Sequence, residues 1–153
     1  MVSSLLAPGP PVVELRRMPQ RWADQQQLLE RQHARLDALL LTLIEQHAAA
    51  APVSEALEVT EQHACRHLLW TLGLHLRLEE RSLARWGVLC PGHRANHRDV
   101  ACAALANFQR LGAERAGRLA LLRGLHGWFL QHQAGPDAGA YALAARAAAA
   151  AEG

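Results

Sequence analysis

His75 and Glu79 stand four residues apart, and so do His93 and His97. In an α-helix each residue turns about 100°, so a four-residue step returns to the same face and each pair projects side by side. His33 precedes the pairs, and His132 with Asp137 follows them. Five imidazoles and two carboxylates thus fall in four separate stretches of chain. Burying such groups without partners is costly, whereas a metal cluster satisfies all of them together. Imidazoles and carboxylates converging inside a helical bundle are the donor set of a non-haem metal centre.

The intervening residues favour that architecture. Runs rich in Val, Ile and Thr are scarce, and Ala, Leu, Arg, Gln and Glu dominate, so the chain is expected to be almost entirely helical. A first helix is expected over about 20–46, and a second from a Ser54 cap to about Trp86, where Gly87 ends it. Cys90, Pro91 and Gly92 make a turn into a third helix from about His93 to Leu111, stopped by Gly112. A fourth covers about 113–134 and meets Gly135-Pro136, after which the Ala-rich segment 141–151 resumes as a helix or frays.

Counting turns from each candidate ligand tests whether it shares a face with apolar residues. His33 lies in phase with Leu29, Leu36, Leu40 and Ile44; His75 with Ala64, Leu68, Leu72 and Leu83. His93 and His97 share their face with Val100, Ala104, Phe108 and Leu111, while Leu121, Leu125 and Trp128 precede His132. All four stripes therefore point the candidate ligands inward, and the short loops favour an all-α, up-down-up-down antiparallel four-helix bundle with a metal site in its core.

The 153 residues, half of them hydrophobic, suit one domain with a sizeable core. A flexible lead is expected over 1–19, the bundle over 20–140 and an Ala-rich extension over 141–153. The formal net charge of +2 comes from interspersed acids and bases, without a polybasic stripe to neutralise phosphates, so nucleic acid is not an expected partner. The prolines of the lead interrupt any apolar core of a signal peptide, and no later run has the length and apolarity of a membrane span. Three cysteines without CxxC spacing read as reduced thiols, and with them the expected location is cytoplasmic.

The remaining histidines act as internal controls. His47 shares the face of His33 but lies about 21 Å farther along the helix; His67 is roughly 12 Å from His75 and His63 is farther still. His126 is turned roughly 120° from His132, toward solvent or a flank. These four are read as structural residues.

The ordered set resembles hemerythrin, specifically the bacterial single-domain kind. The resemblance runs through Glu30-Arg31-Gln32-His33, then His75-Leu76-Arg77-Leu78-Glu79-Glu80, then His93 to His97, then Trp128-Phe129-Leu130-Gln131-His132 with Asp137. It covers about residues 20–140. It implies two iron ions joined by an oxo or hydroxo bridge and by the carboxylates of Glu79 and Asp137. His93, His97 and His132 would complete one iron; His33 and His75 would hold the other and leave an open position for dioxygen. The implied function is reversible oxygen binding for carriage, storage or sensing, and not enzymatic turnover. The alternative is a hemerythrin-like di-iron enzyme or scavenger acting on nitric oxide or peroxide. Reversibility would require a dry apolar pocket, for which Leu36, Leu40, Leu72, Val100 and Trp128 are the candidate lining.

One joint in this set is open to two outcomes. Asp137 follows His132 by five residues, which in a regular α-helix turns it roughly 140° off the ligand face. Gly135-Pro136 either supplies the distortion that brings the carboxylate back or ends the helix and carries it away. Glu80, about 100° around from Glu79, is expected on the solvent side. Glu30 makes a single ExxH with His33, whereas the ferritin-like di-iron fold needs two, so Glu30 is read as hydrogen-bonding near the site or facing solvent. No HExxH motif points to zinc.

Overall fold

The computed structural model describes residues 20–50, 52 and 54–153. The lead expected over residues 1–19 lies outside them. Among the described residues there is no strand. Helix α1 spans Trp22–Ala48, α2 Glu55–Arg85, α3 Pro91–Leu111 and α4 Arg115–His132; a π-helical turn, Gln133–Asp137, joins α4 to α5, Ala138–Glu152.

Local chemistry sets these bounds. The Ser54 hydroxyl accepts the Leu57 N–H at 3.1 Å and starts α2. Beyond its end, Gly87 adopts φ 69°, a left-handed conformation that L side chains resist. Cys90 caps α3, its Sγ accepting the His93 N–H at 3.3 Å, and Pro91 occupies the first turn, where a missing N–H costs nothing.

Helix α1 packs against α2 and α4, and α3 packs against the same two. Contacts along each neighbouring pair run in opposite residue order. Asp37 meets His126 and His47 meets Arg118 between α1 and α4; Gln32 meets His75 and His47 meets Glu61 between α1 and α2. Glu80 meets His97 while Arg66 lies over Phe108 between α2 and α3, and His93 meets His132 while Asn96 meets Trp128 between α3 and α4. The result is a helical bundle. None of its helices is long and apolar enough to cross a membrane, among the described residues.

The expected boundary at residue 141 falls inside α5. This helix packs on α1 and α2 through buried Ala140, Tyr141, Ala144 and Ala148, whose mostly small side chains permit a close approach. Leu111, expected on an inward stripe, is 38% exposed because it is the last residue of α3.

Two apolar clusters fill the interior. One, including Leu40, Leu68, Leu72, Phe108, Leu122 and Phe129, occupies the end near the α1–α2 and α3–α4 loops. The other gathers Trp22, Leu29, Leu83 and the buried face of α5 at the opposite end. Buried Arg118 ties the first end together, donating to Glu58 at 3.0 Å, to Glu61 at 2.7 Å and to His47 Nε2 at 3.2 Å. His47 Nδ1 donates to the Leu43 carbonyl at 2.7 Å, which leaves Nε2 free to accept from Arg118. His47 is thus satisfied by protein partners far from the candidate ligands.

Candidate metal centre

Between the two apolar clusters lies a polar layer in which His33, His75, Glu79, His93, His97, His132 and Asp137 are all buried. Asp137 reaches it through the π turn. Ala138 N–H bonds to the Gln133 carbonyl, a wider loop than the α-helical bond, and Pro136 inside the turn has no N–H to offer an α-helical partner. The extra residue takes up the rotation that five α-helical steps would impose, so Asp137 Oδ1 ends 2.9 Å from His132 Nε2. Of the two outcomes open in the sequence, the structure shows the distortion that brings the carboxylate in.

The donor atoms fall into two groups that share Glu79: Glu79, His93, His97, His132 and Asp137 in one, and His33, His75 and Glu79 in the other. In the first, Nε2 of His132 lies 2.8 Å from that of His97 and 3.1 Å from that of His93. His93 Nε2 is also 3.1 Å from Asp137 Oδ1 and 3.2 Å from Glu79 Oε1. In the second, Glu79 Oε2 lies 3.2 Å from His75 Nε2 and 3.5 Å from His33 Nε2, and Asp137 Oδ2 lies 3.3 Å from His33 Nε2. Each carboxylate therefore turns one oxygen to each group.

These spacings suit a cation. Two donors each about 2.1 Å from an ion sit about 3.0 Å apart at a right angle and about 3.4 Å apart at a tetrahedral angle. The first group clusters at the shorter value. Facing imidazole nitrogens at 2.8 Å repel unless a proton or a metal lies between them. His33 Nε2, His75 Nε2 and Glu79 Oε1 are buried without a hydrogen-bond partner, the pattern expected of ligand atoms. The buried His/Glu/Asp group could hold a metal ion.

Its electrostatics agree. Burial disfavours imidazolium at His33 and His93, but the carboxylates of Asp137 and Glu79 beside them outweigh it and raise both to about 9. Burial would also raise the two carboxyls; the imidazoles around Glu79 and Asp137 reverse this and hold both well below the ordinary range. Without metal, two carboxylates are balanced by two imidazoliums, whose protons a cation would replace.

Partners behind the ligands fix their orientation. His75 Nδ1 donates to Gln32 Oε1 at 2.8 Å and His97 Nδ1 donates to Glu80 Oε1 at 3.1 Å, so both rings present Nε2 inward as a lone pair. Glu80, expected on the solvent side, is half-buried against His97 because α3 packs over its flank of α2. Tyr141, placed by sequence reasoning in the Ala-rich extension, is buried and donates to Glu79 Oε2 at 3.2 Å. Its ring is parallel to that of His33 at 6.0 Å. A lone aromatic in an alanine run, four residues after Asp137, was the available signal.

The five lining candidates do not surround one pocket. Leu36 borders a groove with His75, Leu72 a groove between α2 and α3, and Val100 with Trp128 a groove between α3 and α4, while Leu40 is core. Trp128 is half-buried and stacks on His132 at 4.5 Å. The aromatic edge against His33 and His75 belongs to buried Phe129, at 5.6 and 6.4 Å. His63 and His67 are exposed, and half-buried His126 pairs with Asp37 at 2.9 Å. Compared with protein-family models, curated proteins and solved structures, the chain matches none.

Proposed function

We propose that this chain is a non-haem di-iron protein of hemerythrin type that binds dioxygen reversibly, within an up-down-up-down antiparallel bundle. The observation that carries this reading is the division of oxygens: Glu79 and Asp137 each direct one oxygen toward His93 and the other toward His33. That is the disposition of two bridging carboxylates. His93, His97 and His132 with two of those oxygens would hold one iron through five protein donors. His33 and His75 with the other two would hold the second through four, so the second has more room for a small ligand.

Bound iron would supply the electrons and the open position that dioxygen binding needs. The chain's own residues prepare the surroundings. Phe129 covers one apolar side of His33 and His75, Gln32 and Glu80 hold two rings in the ligating tautomer, and the Tyr141 hydroxyl holds Glu79 in place.

The test is an optical spectrum of the iron-loaded, reduced protein exposed to air and then degassed, alongside metal analysis. Visible bands that form with oxygen and vanish under vacuum are the expected result. Rapid irreversible oxidation, accompanied by turnover of peroxide or nitric oxide, would contradict oxygen carriage and point to a di-iron enzyme.

A further inference from the structure

Two surface grooves reach the second donor group, and they differ in charge. The groove between α1 and α5, about 460 Å³, is lined by Gln26, Glu30, His33, Gln133, Asp137 and Tyr141 together with small alanines. Among the described residues, its only charged side chains besides His33 are the two carboxylates, and no arginine lines it. The groove between α1 and α2, about 470 Å³, touches His75 and carries Arg35 and His67 without any acid among the described residues.

They also reach different sides of the donor atoms. In the α1–α2 groove, Gln32 already takes the Nδ1–H of His75, so that groove meets the back of the ring. In the α1–α5 groove, His33 is 93% buried by the complement of its 7% exposure, the largest exposure of the seven candidate ligands. Its Nε2 lies 3.3 Å from Asp137 Oδ2 and 3.5 Å from Glu79 Oε2. Glu30 is exposed at the rim, held by a 2.8 Å hydrogen bond from Gln26. A cation moving inward would therefore pass one carboxylate in solvent before meeting the buried carboxylate of Asp137 beside the His33 ring.

We infer that the α1–α5 groove is the route by which a divalent cation reaches the buried donors, with Glu30 as its capture residue. This rests on the metal-binding reading above. A cleft of one charge sign raises the local concentration of the opposite ion and its association rate. Such a route changes rates of uptake and release while leaving the final coordination intact.

Stopped-flow uptake of cobalt(II) by the full chain stripped of metal, followed by its absorption bands without oxygen, tests this. Glu30→Gln should slow uptake about threefold or more at low ionic strength, a part of the roughly 10- to 1,000-fold that a whole charged cleft can supply, and the effect should fade in high salt. Ala145→Trp, at an exposed position of the groove wall, should slow uptake and chelator-driven release alike and leave stoichiometry unchanged. Thr71→Trp in the α1–α2 groove should change neither rate. Unchanged rates in both Glu30→Gln and Ala145→Trp, or slowing by Thr71→Trp, would overturn the route while leaving the metal centre standing. A wild-type chain that takes up no cobalt would instead remove the metal-binding reading itself. Circular dichroism excludes misfolding of the Trp variants, and Glu30→Gln, on an exposed helix position, stands independently of them.

Discussion

Within the polar layer Asp137 is the most informative side chain, because its two oxygens face His93 and His33. Replacing it with Ala removes oxygens from both donor groups and leaves His33 with one carboxylate neighbour instead of two. Asp137→Ala should bind at most one iron per chain with weakened affinity, checked by metal analysis after desalting; two tightly held irons would exclude it as a ligand. A second residue prediction concerns thiols. Burial pushes Cys65 up to about 11, whereas Cys90 and Cys102 are exposed. A thiol-reactive dye at pH 7.5 should label two cysteines rapidly in the native chain and the third only on unfolding; three equal rates would contradict that burial. At this scale the inward placement of His33, His75, Glu79, His93, His97 and His132 was legible because helical phase is carried by spacing alone, whereas Asp137, out of phase in a regular helix, was named by the resemblance. Glu80 and Tyr141 were not, since their roles depend on which neighbouring helix covers them, and phase counted within one helix is blind to that.

Among the elements, the π turn matters most. Deleting Ala134 would place the carboxylate four residues after His132, the spacing at which a regular α-helix keeps both on one face. This shortened chain should keep the metal stoichiometry of the full one, whereas deleting Ala134, Gly135 and Pro136 together, which leaves a two-residue step of about 200°, should lose metal at Asp137's position. Equal loss in both would show that the turn has another role. The sequence presented Gly135-Pro136 as either a bulge or a stop. The choice is made by α5, whose buried face packs on α1 and α2 only if the chain continues through the turn. At the other end of the bundle, the hydrogen bond from Arg118 lowers the Glu58 carboxyl below its ordinary 4.5. A depressed carboxyl stabilises the fold above the unfolded value and ceases to do so as pH falls through the folded one. The melting temperature of Glu58→Gln should therefore lie below wild type at pH 7, with the gap closing as pH falls below the ordinary carboxylate range. A gap independent of pH would place the effect elsewhere.

For the whole molecule, a metal held in the polar layer would be linked to the fold. That layer separates two apolar clusters, so each ion bound there would contribute to the stability of the bundle around it. At a hundredfold excess over its Kd, one ion adds about 2.7 kcal/mol. Stripping the metal should lower the melting temperature, and restoring it should recover the loss; identical melting with and without metal would mean that the ions bind no more tightly to the folded chain than to the unfolded one. The helical character and the shared inner stripe were readable from composition and spacing. The docking of α5 was not, because an alanine run has too little hydrophobic contrast to announce a buried face. The central claim is that one centre holds two irons between Glu79 and Asp137. Iron-to-protein stoichiometry of the anaerobically loaded, desalted chain, read together with its Mössbauer spectrum, tests it most directly. Two irons per chain in a coupled pair are predicted; a single isolated iron per chain, or none, would contradict it.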